Sequence, residues 1–139
     1  MASILVVEDS PIVSGAMARL LAAHGYKVRV AGDGLVALSA LRVFEPDLVL
    51  LDVRLPHIDG IQLCLVIRRL KPYADLPIIM LSGLTSQVDR QRALDAGAND
   101  YLVKPVDNDT LLALIAAQLP QHNPASIRQS AFEPESDRW

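Results

Sequence analysis

The chain has 139 residues, which is enough for one domain with its own hydrophobic core. Hydrophobic residues make up 51% of it, which excludes a mostly disordered protein, and the net charge of -3 gives no electrostatic footprint for nucleic acid. No apolar run approaches the roughly 18 residues that cross a bilayer, and the N-terminus lacks the basic segment of a signal peptide.

The N-terminal apolar run, residues 4–7, predicts a short strand buried on both faces. Glu8 and Asp9 follow it directly, so this strand leads into two carboxylates. Ser10 and Pro11 then suit the N-cap and the first position of a helix. The start of the chain therefore predicts a strand, an acidic loop and a helix.

A second strand and a second helix come next. Residues 27–31 alternate between polar and apolar side chains, which predicts a strand with one less-buried face near a sheet edge. The helix after it has apolar residues at helical spacing, namely Ala37, Ala40, Leu41 and Phe44.

An unbroken apolar run at Leu48–Leu51 predicts a strand in the middle of a parallel sheet, because it shows no polar alternation. Asp52 follows at once, and Pro56 and Gly60 then break regular structure. On this stretch alone, Asp52 could be a functional acid at a strand end, or it could merely end the strand or cap the next helix.

The third helix is marked by apolar residues at helical spacing: Ile61, Cys64, Leu65, Ile67 and Leu70. Cys64 lies inside this pattern, so we interpret it as a core residue rather than a nucleophile. As the single cysteine of the chain it cannot form an internal disulfide, which fits a reducing cytoplasm.

Two further strands are predicted in the second half of the chain. The buried run Ile78–Leu81 leads into Ser82, and the shorter run Asp100–Val103 leads into Lys104. Each of these strands, like the first and the third, is thus followed by a polar side chain.

The last two helices differ in character. Gln87–Ala96 is mostly polar and is therefore expected to be weakly anchored, with Arg90 and Arg92 solvated. The final helix starts at Asp107, and its predicted buried stripe is Leu112, Ile115, Ala116 and Leu119.

About five strand–helix repeats predict an α/β fold, a doubly wound parallel sheet with helices on both faces. The pattern stops at residue 120. We therefore expect a domain at 1–119 and a flexible tail, or the start of a linker, at 120–139. No output module is recognisable after residue 119, so the chain either acts alone through partners or is part of a longer protein.

The carboxyl ends of parallel strands meet at one edge of such a sheet. The polar residues brought there are Glu8, Asp9, Asp52, Ser82 and Lys104. At an effective dielectric of about 20 and a separation of roughly 5 Å, each carboxylate pair repels by about 3 kcal/mol. Lys104 and an oxygen-ligated divalent cation would offset this repulsion, and Mg²⁺ is favoured over zinc because no His or Cys joins the set.

An acidic site with Mg²⁺ and a lysine suits the transfer of a phosphoryl group onto a carboxylate. Asp52 would attack in line while the cations neutralise the phosphoryl oxygens. The loop at residues 8–11 has no glycine and carries the wrong charge for cradling a phosphate directly, which argues against a flavin or nucleotide site.

Four segments at these strand ends resemble the receiver domains of two-component response regulators, including the chemotaxis regulators. They are Val7-Glu8-Asp9-Ser10, Leu51–Pro56 with Asp59-Gly60, Leu81-Ser82-Gly83, and Gly97–Pro105. They occur in the family's order and spacing across residues 3–119. The resemblance implies a flavodoxin-like three-layer sandwich whose five-stranded sheet has the order 2-1-3-4-5.

The resemblance also implies a phosphorelay function. Asp52 would accept a phosphoryl group from a phosphohistidine on a sensor histidine kinase or a histidine phosphotransfer protein, with Ser82 and Lys104 assisting. The transfer would be self-catalysed and the phosphoryl group slowly lost, so the domain would be a switch rather than a conventional enzyme. It would act in the cytoplasm on a downstream protein or a separate output domain, without binding nucleic acid directly or inserting into a membrane.

The family pattern assigns further roles. The Mg²⁺ ligands would be Asp9, Asp52 and the backbone carbonyl of Arg54, with Glu8 acting through water. Ser82 and Tyr101 would be the switch pair, and the output surface would comprise the helix 87–96, the strand 100–103 and the helix 107–119. Arg54 and Leu84 would flank the phosphoryl group and slow its hydrolysis.

Two other functions remain open from the residues alone. An Mg²⁺-dependent phosphatase with an aspartyl nucleophile would typically carry a second acid two residues after it, where Arg54 stands, and a cap domain does not fit this length. A degenerate receiver would only bind partners. The intact set Asp9, Asp52, Ser82 and Lys104 argues against that.

Overall fold

Five parallel strands form the centre of the computed structural model, which describes residues 1–83 and 87–119. They are β1 (Ser3–Val7), β2 (Lys27–Ala31), β3 (Leu48–Asp52), β4 (Ile78–Ser82) and β5 (Asp100–Val103). Their order across the sheet is β2-β1-β3-β4-β5, and every neighbouring pair is parallel. The predicted doubly wound topology is therefore confirmed, with β2 at one edge of the sheet.

Within residues 1–83 and 87–119, five α-helices cover the two faces of this sheet. They are α1 (Pro11–Ala23), α2 (Gly34–Ala40), α3 (Gly60–Arg69), α4 (Gln87–Asp95) and α5 (Asn108–Gln118). One buried cluster joins alternate residues of the central strands to α2, α3 and α4, and the second joins the remaining strand residues to α1 and α5. Both faces of the central strands are thus apolar, as their unbroken hydrophobic runs predict.

Side-chain caps fix the starts of four helices, as polar residues before helices often do. Ser10 accepts a hydrogen bond from the Val13 N–H at 3.3 Å. Asp33, Asp59 and Asp107 likewise accept backbone N–H bonds at the starts of α2, α3 and α5. Because each of these helices begins just after a strand end or a turn, the caps set where the chain turns back over the sheet.

The predicted buried stripe of α3 is partly wrong. Leu65 is 43% exposed and Leu70 is 37% exposed, whereas Leu63 is fully buried beside Cys64 and Ile67. The helix carries apolar residues on more than one face, so spacing alone did not identify the face that packs on the sheet. Cys64 is buried as predicted, and that burial raises the pKa of its thiol more than the nearby Arg68 charge lowers it.

The predicted buried stripe of α5 is confirmed at Ile115 and Leu119 and wrong at Leu112 and Ala116. Leu111, Ile115 and Leu119 are buried, whereas Leu112 is only half-buried and Ala116 is exposed. Apolar side chains surround much of this helix, and contact with the sheet selects the set spaced by four residues.

Two sequence predictions concern residues that the structure does not describe. Leu84 and residues 120–139 lie outside the described residues. Within residues 1–83 and 87–119, no helix combines the length and the apolar character needed to cross a membrane.

Candidate functional site

The carboxyl ends of four strands bring the predicted polar residues to one edge of the sheet. Asp52 is the last residue of β3 and Ser82 the last of β4, while Glu8 and Lys104 directly follow β1 and β5. The strands pair in register, so that Asp52 lies opposite Leu81. The parallel topology therefore places side chains that are up to 96 residues apart in sequence within hydrogen-bond distance.

Lys104 joins the two buried acids of this edge. Its Nζ lies 2.7 Å from Oε1 of Glu8 and 3.1 Å from Oδ2 of Asp52. Glu8 is 4% exposed and Asp52 is 7% exposed, so both carboxylates are largely removed from water. Burial lowers the pKa of Lys104, but its hydrogen bonds and charge interactions with the two acids outweigh this effect and raise the pKa above the usual 10.5.

Backbone amides orient the second oxygen of each carboxylate. The Arg54 N–H donates to Oδ1 of Asp52 at 3.3 Å, and the Ser10 N–H donates to Oε2 of Glu8 at 3.1 Å. Each carboxylate is therefore held by the lysine on one oxygen and by the chain on the other. An ionised carboxylate offers about four lone-pair sites, so both acids can still accept a further ligand.

The acids Glu8, Asp9 and Asp52 form a cluster that could hold a metal ion. One carboxylate oxygen from each lies within 4.8 Å of the others. Asp9 is exposed while the other two are buried, so the cluster opens to solvent on one side. These oxygen donors suit a hard divalent cation and offer nothing that favours zinc.

The hydroxyl of Ser82 belongs to a fully buried residue on the strand next to Asp52. The backbone N–H of Lys104 donates to the Ser82 carbonyl at 2.8 Å, which ties the ends of β4 and β5 together. Tyr101 is only 2% exposed. Its ring lies within the buried core cluster that includes Ala93 of α4.

Two residues gain roles that the sequence analysis did not give them. A side-chain carbon at Gly60 would collide with the Asp52 carbonyl, so glycine lets α3 begin directly against the end of β3. Arg90 is exposed as predicted, with 45% of its side chain accessible, and it also contacts Tyr101. The position of Gly60, eight residues after a strand-end acid, was a usable signal for its role. Nothing in the local sequence indicates the contact between Arg90 and Tyr101.

An open cleft of about 580 Å³ lies beside the acids. Its lining residues are Asp9, Val53, Arg54, Leu55, Pro56, Asp59 and Arg92. Since the cleft includes Asp9 and the residues that follow Asp52, an incoming group can reach this edge of the sheet from solvent.

Comparisons with known proteins agree with this geometry. The chain is 38% identical over 119 residues to the DNA-binding dual master transcriptional regulator RpaA of Synechocystis, covering 86% of this chain and 49% of that protein. It is 41% identical to the DNA-binding response regulator MtrA of Mycolicibacterium smegmatis, covering 84% of this chain and 50% of MtrA. The chain thus spans about half the length of these curated relatives.

A solved structure shares the fold. Chemotaxis protein CheY4 of Vibrio cholerae superposes with a TM-score of 0.82 and 33% identity, covering 86% of this chain and 99% of CheY4. The family model described as the response regulator receiver domain matches residues 4–116. With that match, and with the acids, the hydroxyl and the lysine gathered at one sheet edge, the chain belongs to the response regulator receiver domain family, whose general function is phosphorelay signalling.

Proposed function

We propose that Asp52 accepts a phosphoryl group from a phosphohistidine on a sensor histidine kinase or a histidine phosphotransfer protein. The observation that supports this most directly is the placement of Asp52. Its carboxylate is buried, held by Lys104 and by the Arg54 N–H, and lies in an acidic cluster that opens to the cleft. A buried strand-end acid with such fixed neighbours is pre-organised for attack rather than for solvation.

In the transfer, one Asp52 carboxylate oxygen forms a bond to phosphorus. The bond from phosphorus to the donor imidazole nitrogen breaks, and the imidazole leaves with the electron pair. Lys104 keeps its positive charge beside the acceptor, because its raised pKa holds the proton at neutral pH. The charge reduces the repulsion between the incoming phosphoryl oxygens and the carboxylates.

The residues that would hold Mg²⁺ are Asp9, Asp52 and the carbonyl of Arg54, with Glu8 behind them. Bound there, Mg²⁺ would supply positive charge to the phosphoryl oxygens. Three acids share one lysine in this cluster, so a divalent cation complements the remaining negative charge.

We expect replacement of Asp9 by alanine to remove most of the Mg²⁺-dependent rise in melting temperature. The ion should stabilise the folded chain by relieving repulsion among Glu8, Asp9 and Asp52. Asp9 is the exposed member of the cluster, so its loss leaves the buried pair with Lys104 in place. Thermal unfolding with and without millimolar Mg²⁺ measures the effect, and an undiminished rise in the variant would locate the ion elsewhere.

The phosphoryl donor is proposed to dock on an apolar rim around this edge. Ile12 and Leu35 lie near the starts of α1 and α2, and they are 84% and 60% exposed. Both helices start just after the carboxyl ends of β1 and β2. Their first residues therefore lie at the same edge of the sheet as Asp52. Exposed aliphatic side chains beside a reactive acid suit a helical partner that presents its histidine to the cleft.

The phosphoryl transfer itself requires only residues of this domain and the ion. We therefore expect acetyl phosphate with Mg²⁺ to give a single aspartyl phosphate adduct in intact-mass spectrometry. The adduct should persist and decay slowly after the donor is removed. Rapid turnover of acetyl phosphate without an adduct would indicate a phosphatase, and neither turnover nor adduct would leave only a partner-binding role.

The signal is proposed to leave the site through Ser82 and Tyr101. A phosphoryl group adds negative charge and strong acceptors beside the Ser82 hydroxyl, which can donate to one of them. Tyr101 lies on the neighbouring strand β5, and its ring lies in the core cluster with Ala93 of α4. A shift at Ser82 therefore biases an output surface made of α4, β5 and α5.

Substituting Ser82 with alanine should weaken this coupling. NMR chemical-shift changes on phosphorylation are expected to concentrate on α4, β5 and α5 in the parent chain and to shrink there in the variant. The chemical step should still occur, because Asp52 and Lys104 are unchanged, but more slowly, because the Ser82 hydroxyl assists it. Shift changes confined to the loops around Asp52 in the parent chain would show that the signal takes another route.

The proposal also covers the bounds of the domain, its cellular compartment and its target. We place the receiver domain at 1–119 and its action in the cytoplasm, where the donor kinase domains would meet it. Its target is proposed to be a downstream protein or a separate output domain, reached by protein contact, because the chain carries a net charge of -3.

A further inference from the structure

The loop between β3 and α3, residues 53–59, is closed at its base. The Gly60 N–H donates to the Val53 carbonyl at 2.8 Å. The Arg54 N–H donates to Oδ1 of Asp52 at 3.3 Å. This β3–α3 loop also lines the cleft and contains the carbonyl of Arg54, a proposed Mg²⁺ ligand. The position of the loop therefore bears directly on the proposed metal site.

The tip of the β3–α3 loop is a strained turn. His57 has a φ of 73°, in the left-handed region that residues with a side chain adopt uncommonly. The Ile58 N–H donates to the Pro56 carbonyl at 2.8 Å, and with this φ at the residue between them the bond closes a γ-turn of the rare, strained kind. Such a turn persists only where the surrounding contacts hold it in place.

A contact that holds this turn lies at the start of α2. Ile58 is half-buried and packs against the core cluster that includes Ala37 of α2. Gly34, the first residue of α2, is buried, and a side-chain carbon there would overlap with Cγ2 of Ile58. Because Ile58 is β-branched, its rotamer is stiff and the methyl group has little freedom to turn away. The absence of a side chain at Gly34 thus makes room for the tip of the loop.

We propose that Gly34 is a positioning residue for the Mg²⁺ site. It lets Ile58 pack closely on α2, and this packing holds the strained turn and with it the β3–α3 loop that carries the carbonyl of Arg54. The inference rests on the proposed Mg²⁺ ligands and adds to them a residue from a different part of the sheet edge. Gly34 supplies no ligand itself and acts only through the loop.

A merely structural role of Gly34 would be to let α2 pack on the rest of the domain. In that case rotation of the Ile58 side chain would absorb an added methyl group, with a loss of stability but an unchanged metal site. The two roles therefore differ in the Mg²⁺ affinity of the folded protein, which a lower free energy of unfolding does not by itself change.

Titration of the ¹⁵N-labelled chain with Mg²⁺, followed by NMR, measures this affinity without any phosphoryl donor. The amide resonances of Asp9 and Arg54 report on the proposed site. Residues that support metal ligands from behind typically change metal affinity by about 10- to 100-fold, so we expect Gly34→Ala to raise the Kd for Mg²⁺ about tenfold. In the metal-free variant, amide shift changes should extend along the β3–α3 loop as far as Arg54.

Gly32→Ala is the matched control. Gly32 lies in the same turn before α2, and a side-chain carbon there would meet no atom of the described residues within 4 Å, its chain neighbours aside. The Kd of this control should equal that of the parent chain. An unchanged Kd in folded Gly34→Ala, or an equal rise in both variants, would overturn the proposal. Absence of saturable Mg²⁺ binding in the parent chain would overturn the metal site and this inference together.

Ile58→Ala is the second variant, and it decides the matter if Gly34→Ala does not fold. It removes the packing on α2 without adding an overlap, so we expect the Kd to rise here as well, by a smaller factor. A parent-like Kd in Ile58→Ala would overturn the proposal.

A double variant tests the contact itself. Ile58→Leu moves the branch from Cβ to Cγ and so removes the methyl group that a side chain at position 34 would meet. In Gly34→Ala/Ile58→Leu the Kd should therefore return towards the parent value, and a full rise that persists there, with Ile58→Leu alone like the parent, would contradict the proposal. Labelling with acetyl phosphate tests Asp52 separately, so a failure of the phosphoacceptor would be detected on its own.

Discussion

Asn in place of Asp52 is expected to abolish phosphorylation while the fold stays intact. The amide is a poor nucleophile, and the change also removes one oxygen ligand from the acidic cluster. The single amide oxygen can still accept the hydrogen bond of Lys104, and the NH₂ group then replaces the oxygen that accepts the Arg54 N–H, so the sheet edge loses only the longer of the two contacts. Intact-mass spectrometry after incubation with acetyl phosphate and Mg²⁺ should show the adduct in the parent chain and none in Asp52→Asn.

A matched control removes a carboxylate away from the site. Asp75 is an exposed residue in the segment before β4, and Asp75→Asn should be labelled to the same extent as the parent chain. Circular dichroism should give the same spectrum for all three proteins. Full labelling of Asp52→Asn would show that another residue accepts the phosphoryl group.

Methionine in place of Lys104 should destabilise the domain strongly at neutral pH. The change keeps a long unbranched side chain but removes the charge that neutralises Glu8 and Asp52, both nearly buried. Breaking a buried ion pair by removing one partner costs roughly 3 to 5 kcal/mol. Lys104 is 28% exposed, so we expect about 3 kcal/mol, at the lower end, from urea unfolding followed by circular dichroism.

The pH dependence of this loss follows from the raised pKa of Lys104. A lysine whose pKa is raised on folding stabilises the folded chain fully below its unfolded value of 10.5 and loses that effect as the pH rises through the folded value. The difference between the parent and Lys104→Met should therefore be constant from neutral pH to about pH 10 and shrink above it.

The exposed Lys71 provides the comparison for both measurements. Lys71→Met loses the same charge without leaving a buried carboxylate unpaired, so its effect should stay within about 0.5 kcal/mol. A loss in Lys104→Met no larger than this would mean that water or a reoriented backbone already satisfies the two acids. A difference that does not shrink as the pH rises through the folded-state pKa of Lys104 would contradict the role of the lysine charge.

Strong local patterns in the sequence were sufficient to predict several elements of the fold. The apolar runs at residues 4–7, 48–51 and 78–81 predict central parallel strands, and all three lie inside the sheet. The acids and the lysine at strand ends could be grouped in advance, because parallel strands present their carboxyl ends at one edge. The contacts of Lys104 with Glu8 and Asp52 confirm that these residues lie together at the predicted edge.

The packed fold was needed to identify which faces of the more uniform helices are buried. In α5 the helix buries Leu111 in place of the predicted Leu112 and Ala116, since neighbouring positions are almost equally apolar. In such a helix the hydrophobic periodicity is weak, and shape complementarity with the sheet determines which face is buried. Leu65 of α3 is exposed for the same reason.

Contacts between distant polar residues were likewise decided by the assembled fold. Arg90 has an ordinary place in a charged helix, and nothing near it in sequence predicts a contact with a buried ring on β5. Such a contact depends on the distance between two elements and on their relative rotation, which residue spacing within one element does not encode. Strand-end chemistry could therefore be read from the sequence, because topology alone brings it together, whereas the contacts of α4 with Tyr101 required the packed structure.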